Sequence, residues 1–512
     1  MASPLVPVSL TAPGFYGLNT QDSPTDMDQK FMLEASNCVI DRAGRIASRK
    51  GWVAQNPVLP ALSTNNIESM GELIGTDGTS SVVVAGNNKL FKFDGSALTE
   101  LTYGGGGVAP TITASNWQMC AINDGLVMFQ SGHDPLVFDT VLSTTQYRRI
   151  SEHPSYSGTV PSANCAISAY GRIWAASTTT DKITVKWSDV GTHQKWTGGT
   201  SGSLSLLNVW PSGGDEIVAL AAHNNNLIIF GRRQMLIYTG ALDPATMVLG
   251  DSIVNIGCVA RDSVQTTGED VIFLSDSGVR SLMRTIQEKS APTRTVSRNV
   301  NDDILGYTGS VVAVDAKSVY SPSESFYLLA FRSSGVTYCF DMRAPLQDGA
   351  SRTTVWTQIS PRSMLYTSKR QLLIGKQGLV GLYSNYTDNG TQFRMSCMSG
   401  WIDFGSPVQL SIPKKIRAVI LGAQGQPLIL KWGYDYIGTR SGKAVTLKAA
   451  DVAEYAVSEY TVAEYNANLL TNVISVNPTG KGRVVQVGME VNPTEYAIAV
   501  QKIDVFTKEG RI

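Results

Sequence analysis

Residues able to carry catalytic chemistry are few in this chain of 512 residues. There are four histidines, His133, His153, His193 and His223, and none stands in the His-x-x-x-His or His-Glu-x-x-His spacing that brings two imidazoles to one metal. His133 and His223 fall at or beside turns, where a solvated or capping role outweighs catalysis. The stretch Ser275-Asp276-Ser277-Gly278 sits between two apolar runs and could offer a nucleophile or a cation loop. A calcium loop needs acidic or amide ligands at alternating positions and a distal glutamate, and a nucleophile elbow needs a helix after the serine. Neither follows here, so the stretch reads as a β-hairpin bend. The run Tyr103 to Val108 has the glycines of a phosphate cradle but no Gly-Lys-Ser/Thr, and the segment around Lys443 fails the same test. Asp302 and Asp303 are adjacent, which in an extended chain sends them to opposite faces as solvated groups. Ser188, Asp189 and Gly191 approach a sialidase-type Asp-box without matching its spacing. No catalytic residue, metal ligand or cofactor site is expected.

The elements that would carry such groups are strands. Charged residues make up 16% of the chain, glycine is plentiful, and long helical periodicity is nearly absent, a composition that points to an all-β protein. Lys plus Arg equals Asp plus Glu at 42 each, so no global basic footprint of a tight nucleic-acid binder is present. The N-terminus lacks a basic and apolar leader pattern, and no run approaches the length of a membrane span. The six cysteines lie tens of residues apart with no Cys-x-x-Cys pair, which reads as reduced thiols within strands.

Seven hairpins recur through the middle of the chain, with turns at Asn87, Gly132, Thr179, Arg232, Asp276, Ser334 and Gln377, separated by 45, 47, 53, 44, 58 and 43 residues. That period suits four-stranded propeller blades, and short apolar segments before each hairpin supply a further strand. The expected fold is a β-propeller of six or seven blades over 61-397. Residues 1-60 form an N-terminal segment with one short helix-like stretch at 27-40, docking on the C-terminal domain or on a partner. Residues 398-512 form an additional β-sandwich-like domain, where longer alternating strands replace the repeat. Within it, 451-465 reads DVAEYAVSEYTVAEY, with Tyr455, Tyr460 and Tyr465 five residues apart, each preceded by glutamate. This insertion is either a projecting loop or a partner-contacting tongue.

Two basic clusters are candidate contact surfaces: Arg42, Arg45, Arg49 and Lys50 in the N-terminal segment, and Arg232 with Arg233 on a hairpin turn. Each could meet an acidic partner or DNA, or could be a solvated face with local carboxylate partners such as Asp41.

The order of several phrases adds a resemblance. Gly17, Asn19, Asp22 and Pro24, then Ala35, Asn37 and Asp41, then Gly44 to Ile46 and Arg49 to Trp52, resemble the opening of many phage structural proteins. Further on, GRIWAA, KWSDVG, LIIFGRRQMLIYTG and the closing WIDFGSP and GRVVQVGMEV are similar to the tail nozzle, or tail tubular B, proteins of short-tailed bacteriophages. The resemblance implies a non-enzymatic virion component assembled in the host cytoplasm. It would be a homohexamer below the portal and adaptor (tail tubular A-like) ring, would carry double-stranded DNA through its channel during ejection, and would anchor tail fibres or spikes. This chain looks more compact than the larger members. The alternative is a glycan-binding or glycan-cleaving propeller that serves as a receptor-binding protein.

Overall fold

The computed structural model describes residues 5–112, 117–287, 295–309, 315–404, 409–422, 425–448 and 471–509. The insertion at 451-465, with Tyr455, Tyr460 and Tyr465, lies outside the described residues.

Each of the seven predicted hairpins forms the second and third strands of an antiparallel blade, the sixth of which is continuous with a larger sheet. The first three blades open with Ile67–Ile74, Gln118–Ile122 and Cys165–Ala169. The remaining four open with Ile217–His223, Gln265–Thr266, Ala316–Ser321 and Ser363–Tyr366. These first strands pack one against the next in chain order, and that of the seventh blade packs against that of the first, so the ring closes at seven blades. The seventh blade takes its outer strand, Trp52–Ala54, from the other end of the chain, where it pairs with Val380–Tyr383. The propeller therefore draws on residues before 61 and closes through a strand contributed from the N-terminal side.

Middle strands such as Gly125–Phe129 and Val271–Ser275 are buried at every position because a blade is covered on both faces. The alternation is still present, but it sorts residues between two neighbours: Leu126 and Met128 join the core shared with the first blade, Val127 and Phe129 the core shared with the third. The stretch Ser275-Asp276-Ser277-Gly278 is the bend of a hairpin, as expected. Ser275 pairs with Gly278, and the buried Ser275 hydroxyl donates to the Gly278 carbonyl at 2.9 Å.

An ionic cluster crosses the propeller axis. Arg261, buried after the fourth blade, donates to the carbonyls of Asn164 and Trp117, which precede the inner strands of the third and second blades. It also pairs with Asp262 at 2.9 Å, and Lys317 of the sixth blade reaches the same carboxylate at 2.6 Å. Burial pushes the Asp262 carboxyl up, but the two cations outweigh it and hold it well below the usual carboxylate range.

The second domain is a sandwich of two sheets. One holds Thr471–Val476, Ser411–Gly422, Ile498–Glu509, Ile46–Ser48 and Cys38–Ile40 in that order, with Val6–Thr11 also on Ile498–Glu509. The other continues directly from the sixth blade: Arg352–Trp356, Gly17–Leu18, Phe31–Ser36, Met395–Ser399, Val485–Val491, Pro427–Tyr434 and Ser441–Thr446, giving ten strands in one sheet. Ile416, Ile420, Val500 and Ile503 from the first face meet Leu428, Leu430, Val487 and Met489 from the second in one core.

Two local expectations are corrected. The helix-like stretch at 27-40 forms the strands Phe31–Ser36 and Cys38–Ile40, because Phe31–Ser36 is hydrogen-bonded on both sides within the ten-stranded sheet and tertiary pairing overrides a weak helical preference. Asp302 and Asp303 stand on a helix, Asn301–Thr308, and are engaged rather than merely solvated: Gln21 donates to Asp302 at 3.0 Å and Thr20 to Asp303 at 2.7 Å. All six cysteines are free and buried, and burial pushes the Cys120, Cys165, Cys258 and Cys397 thiols up to about 12. Among the described residues, no helix is long and apolar enough to cross a membrane.

Candidate functional site

The N-terminal basic cluster lies at the joint between propeller and sandwich, and its members divide. Arg49 is fully buried. Its Nη1 and Nη2 donate to the two carboxylate oxygens of Asp388 at 2.8 and 2.7 Å, its Nε donates to Asn37 Oδ1 at 3.1 Å, and its guanidinium lies 3.8 Å from the centre of the Phe393 ring. As a surface contact for an adaptor or DNA it is thereby corrected, since every face is taken by this chain. Asn37 holds a left-handed backbone (φ 53°) and its Oδ1 also accepts the Thr357 N–H at 3.1 Å, tying the segment to the sixth blade. Gly51 passes so close to the last blade's exit that a Cβ there would lie 1.9 Å from the Thr387 carbonyl oxygen. Trp52 then enters the seventh blade. The residues of the opening phrase are thus the mechanical joint of the molecule.

The other three line a cleft of about 710 Å³ above that joint. Arg45 pairs with Asp41 at 2.6 Å, Lys50 with Glu324 at 2.6 Å, and Arg42 donates to the Ser323 carbonyl at 3.1 Å. Two cations from elsewhere in the sequence join them: Arg343, which pairs with Asp341 at 2.7 Å, and Arg370. Nothing in the sequence marks these two, because they enter from separate blades. Neither Arg42 nor Arg370 meets a carboxylate among the described residues, and both are exposed. Phe326, Leu372, Leu382 and Tyr383 give the cleft an apolar side. The arrangement can bind a negatively charged group on an apolar body; it holds no nucleophile paired with a base.

Arg232 and Arg233 lie far from this cleft in the fold, exposed on the hairpin turn of the fourth blade. Their backbone N–H groups donate to the Asp215 carboxylate at 3.1 and 2.9 Å, which sets the turn, and Arg232 lines a cavity together with Arg261 and Asp262.

A third cluster brings together groups separated in sequence. Asp139 ends a strand of the second blade, His153 follows a short 3-10 turn, and His193 sits in a loop of the third blade. His153 Nε2 lies 3.1 Å and His193 Nε2 3.4 Å from Asp139 Oδ2, the latter without the alignment of a hydrogen bond. Gly125 makes room for the His193 ring, since a Cβ there would lie 2.5 Å from Nδ1. Three such ligand atoms within 4.8 Å of one another have metal-site dimensions. The tautomer argues otherwise. The Ser155 N–H donates to His153 Nδ1 at 3.1 Å, so the neutral ring carries its proton on Nε2 and donates it to Asp139. A metal on Nε2 would need that proton on Nδ1, facing the Ser155 N–H. The cluster is a strap between two blades. Burial pushes the Asp139 carboxyl up, but the nearby His193 imidazole and the Val141 and Leu142 N–H groups outweigh this and lower it to about 2. Asp139→Asn is expected to cost about 1–3 kcal/mol at neutral pH. The folded carboxyl lies below its unfolded value, so its contribution is complete above about pH 4 and is lost as pH falls towards about 2. Urea titrations of both proteins should therefore converge in acid, and added zinc should leave the parent protein's melting temperature unchanged.

No family model matches this chain, and no curated protein matches it. Among solved structures, the Neurospora crassa Pan2 WD40 domain is 11% identical with a TM-score of 0.40, over 67% of this chain and 98% of that one. The WD40 domain of Toxoplasma gondii coronin is 10% identical with a TM-score of 0.39, over 69% and 86%. The extracellular domain of a hybrid two-component system of B. thetaiotaomicron is 13% identical with a TM-score of 0.39; 67% of this chain is covered, and only 42% of that longer one. At these values the propeller rests on the order of sheets within the chain itself.

Proposed function

We propose that this protein is a structural virion component, a tail nozzle subunit of a short-tailed bacteriophage. It would form a homohexameric ring below the adaptor, continue the DNA ejection channel and anchor tail fibres or spikes. What supports the reading is the ordered set of phrases in the sequence, together with one structural observation. The opening phrase builds a buried joint, centred on Arg49 and Asp388, that locks propeller and sandwich together. A channel wall needs that stiffness, and a ring needs broad rigid sides that meet head to tail. The propeller's own axis is crossed by Arg261, Asp262 and Lys317, so in this reading DNA passes between subunits and not through a propeller. The protein would act without catalysis. Electron microscopy of the purified protein, alone and with an adaptor ring, should show six-fold rings; solitary particles under both conditions would remove the reading.

The second reading is a glycan-binding or glycan-cleaving receptor-binding propeller. The arginine- and tyrosine-lined cleft favours it, since such a surface suits an acidic sugar. Saturable binding on a glycan array by a monomer would decide for it.

A further inference from the structure

We propose that the cavity where the chain enters the seventh blade is a binding site for a phosphate group, held between Arg362 and Lys376. The cavity measures about 370 Å³ and is lined by Trp52, Ser360, Arg362, Lys376, Gln377 and Leu379. Both cations stand at one end of the blade. Arg362 comes just before the first strand, Ser363–Tyr366, and Lys376 lies in the turn between the second and third, Leu372–Gly375 and Val380–Tyr383. The lining contains no carboxylate, and among the described residues neither cation forms an ion pair. The carboxylates of the surrounding elements are engaged: Asp388 is bound by Arg49, and Glu68 and Asp315 are bound by Arg332.

Local structure fixes both side chains. Ser360 has a left-handed backbone (φ 37°), a conformation a serine adopts at a cost. The Ile359 and Ser360 carbonyls both accept from Lys376 Nζ, the latter at 3.3 Å, and the centre of the Trp52 ring lies 5.4 Å from the same nitrogen. One N–H of the ammonium remains for a ligand. Arg362 Nη1 donates to the Arg332 carbonyl at 3.0 Å, which leaves most of a planar fork of five donors. These partners are neutral, so two half-buried positive charges sit side by side without a counterion in the lining. Burial holds the Lys376 ammonium below its ordinary value; Asp388 opposes this, while Arg362 and Arg49 add to it. A bound anion would relieve that strain. Two positive charges match a phosphate monoester or free phosphate, at about −1.5 to −2 near neutral pH, better than a carboxylate or a single phosphodiester. The volume takes one such group on a small organic body and excludes a duplex.

Isothermal titration calorimetry of the full-length protein with inorganic phosphate, against chloride of matched ionic strength, is expected to show one saturable site. Arg362→Gln and Lys376→Gln should each weaken it by at least about tenfold, while Lys376→Arg, which keeps the charge, should retain most of the affinity. Because both side chains also hold backbone carbonyls, a measurement on the unaltered protein separates binding from folding. Trace acetylation with peptide mapping reads the reactivity of each lysine amine. Phosphate should slow labelling of Lys376 by at least about threefold relative to the exposed Lys369, in the turn at the other end of the same blade, by favouring the charged ammonium and covering it. No saturable heat, or equal slowing at the two lysines, overturns the proposal. So does acetate binding as tightly as phosphate, or displacement of phosphate by a short DNA duplex at equal phosphate concentration. Phenyl phosphate distinguishes the sources: tighter binding than inorganic phosphate assigns the site to a phosphorylated small molecule, weaker binding to the free ion, and either upholds the site.

Discussion

Arg49→Ala is expected to destabilise the protein by about 3–5 kcal/mol, the usual cost of leaving a buried charge without its partner. The loss is large for three reasons that act on one side chain. Asp388, 12% exposed at its side chain, keeps its charge and loses both guanidinium donors. Asn37 loses the donor that orients its amide beside the sixth blade. A space opens against the Phe393 ring, where the guanidinium had packed at 3.8 Å. Arg49→Lys should recover only part of the loss, since an ammonium cannot make two parallel bonds to one carboxylate. Asp388→Ala in the Arg49→Ala background should cost less than the two single losses added, because no lone charge remains. Equilibrium denaturation of the four proteins measures this coupling. Near-additive values would show that the pair does not lock the joint.

Arg261→Ala is expected to cost a similar amount, about 3–5 kcal/mol, through the propeller rather than the joint. The guanidinium satisfies the Trp117 and Asn164 carbonyls at the openings of two blades while neutralising Asp262, which Lys317 shares from a third. Without it, two carbonyls lose a donor and Asp262 depends on one ammonium. The pH dependence follows from the folded carboxyl lying below its ordinary value. Its contribution is complete above about pH 4 and falls away as acid protonates it. The gap between parent and variant, read by chemical denaturation, should shrink from pH 7 towards pH 3. A constant gap would show that the cations do not stabilise the ionised carboxylate.

Much of the propeller was legible because its signal is local. Each hairpin places two apolar runs around a turn such as Asn87-Asn88 or Asp276-Ser277, and these survive low identity between units. From the residues alone the blade count stays at six or seven, because closure depends on Trp52–Ala54, three residues too short to read as a strand and paired with a partner at the far side of the repeat. The helix-like reading of 27-40 failed for the same reason: Phe31–Ser36 is a strand because of distant neighbours, Val355 and Ser396 to Ser399. At the candidate site, the basic cluster was visible as composition. Whether each residue faced inward was not: Arg49 is fully buried while Lys50, the next residue, is half-buried. Arg343 and Arg370 complete the cleft from other blades, and the Asp139, His153 and His193 strap joins residues with no shared spacing. Such constellations are set by the ring's closure.

The Arg49–Asp388 bond spans 339 residues. During synthesis the opening segment therefore waits, with its strand and its charge uncommitted, until the chain has been made past residue 388. Up to that moment the nascent chain is an open arc with two raw edges. In concentrated refolding, where many such arcs coexist, the quickest way to cover an edge is to borrow a neighbour's opening strand, so exchanged dimers should accumulate as concentration rises.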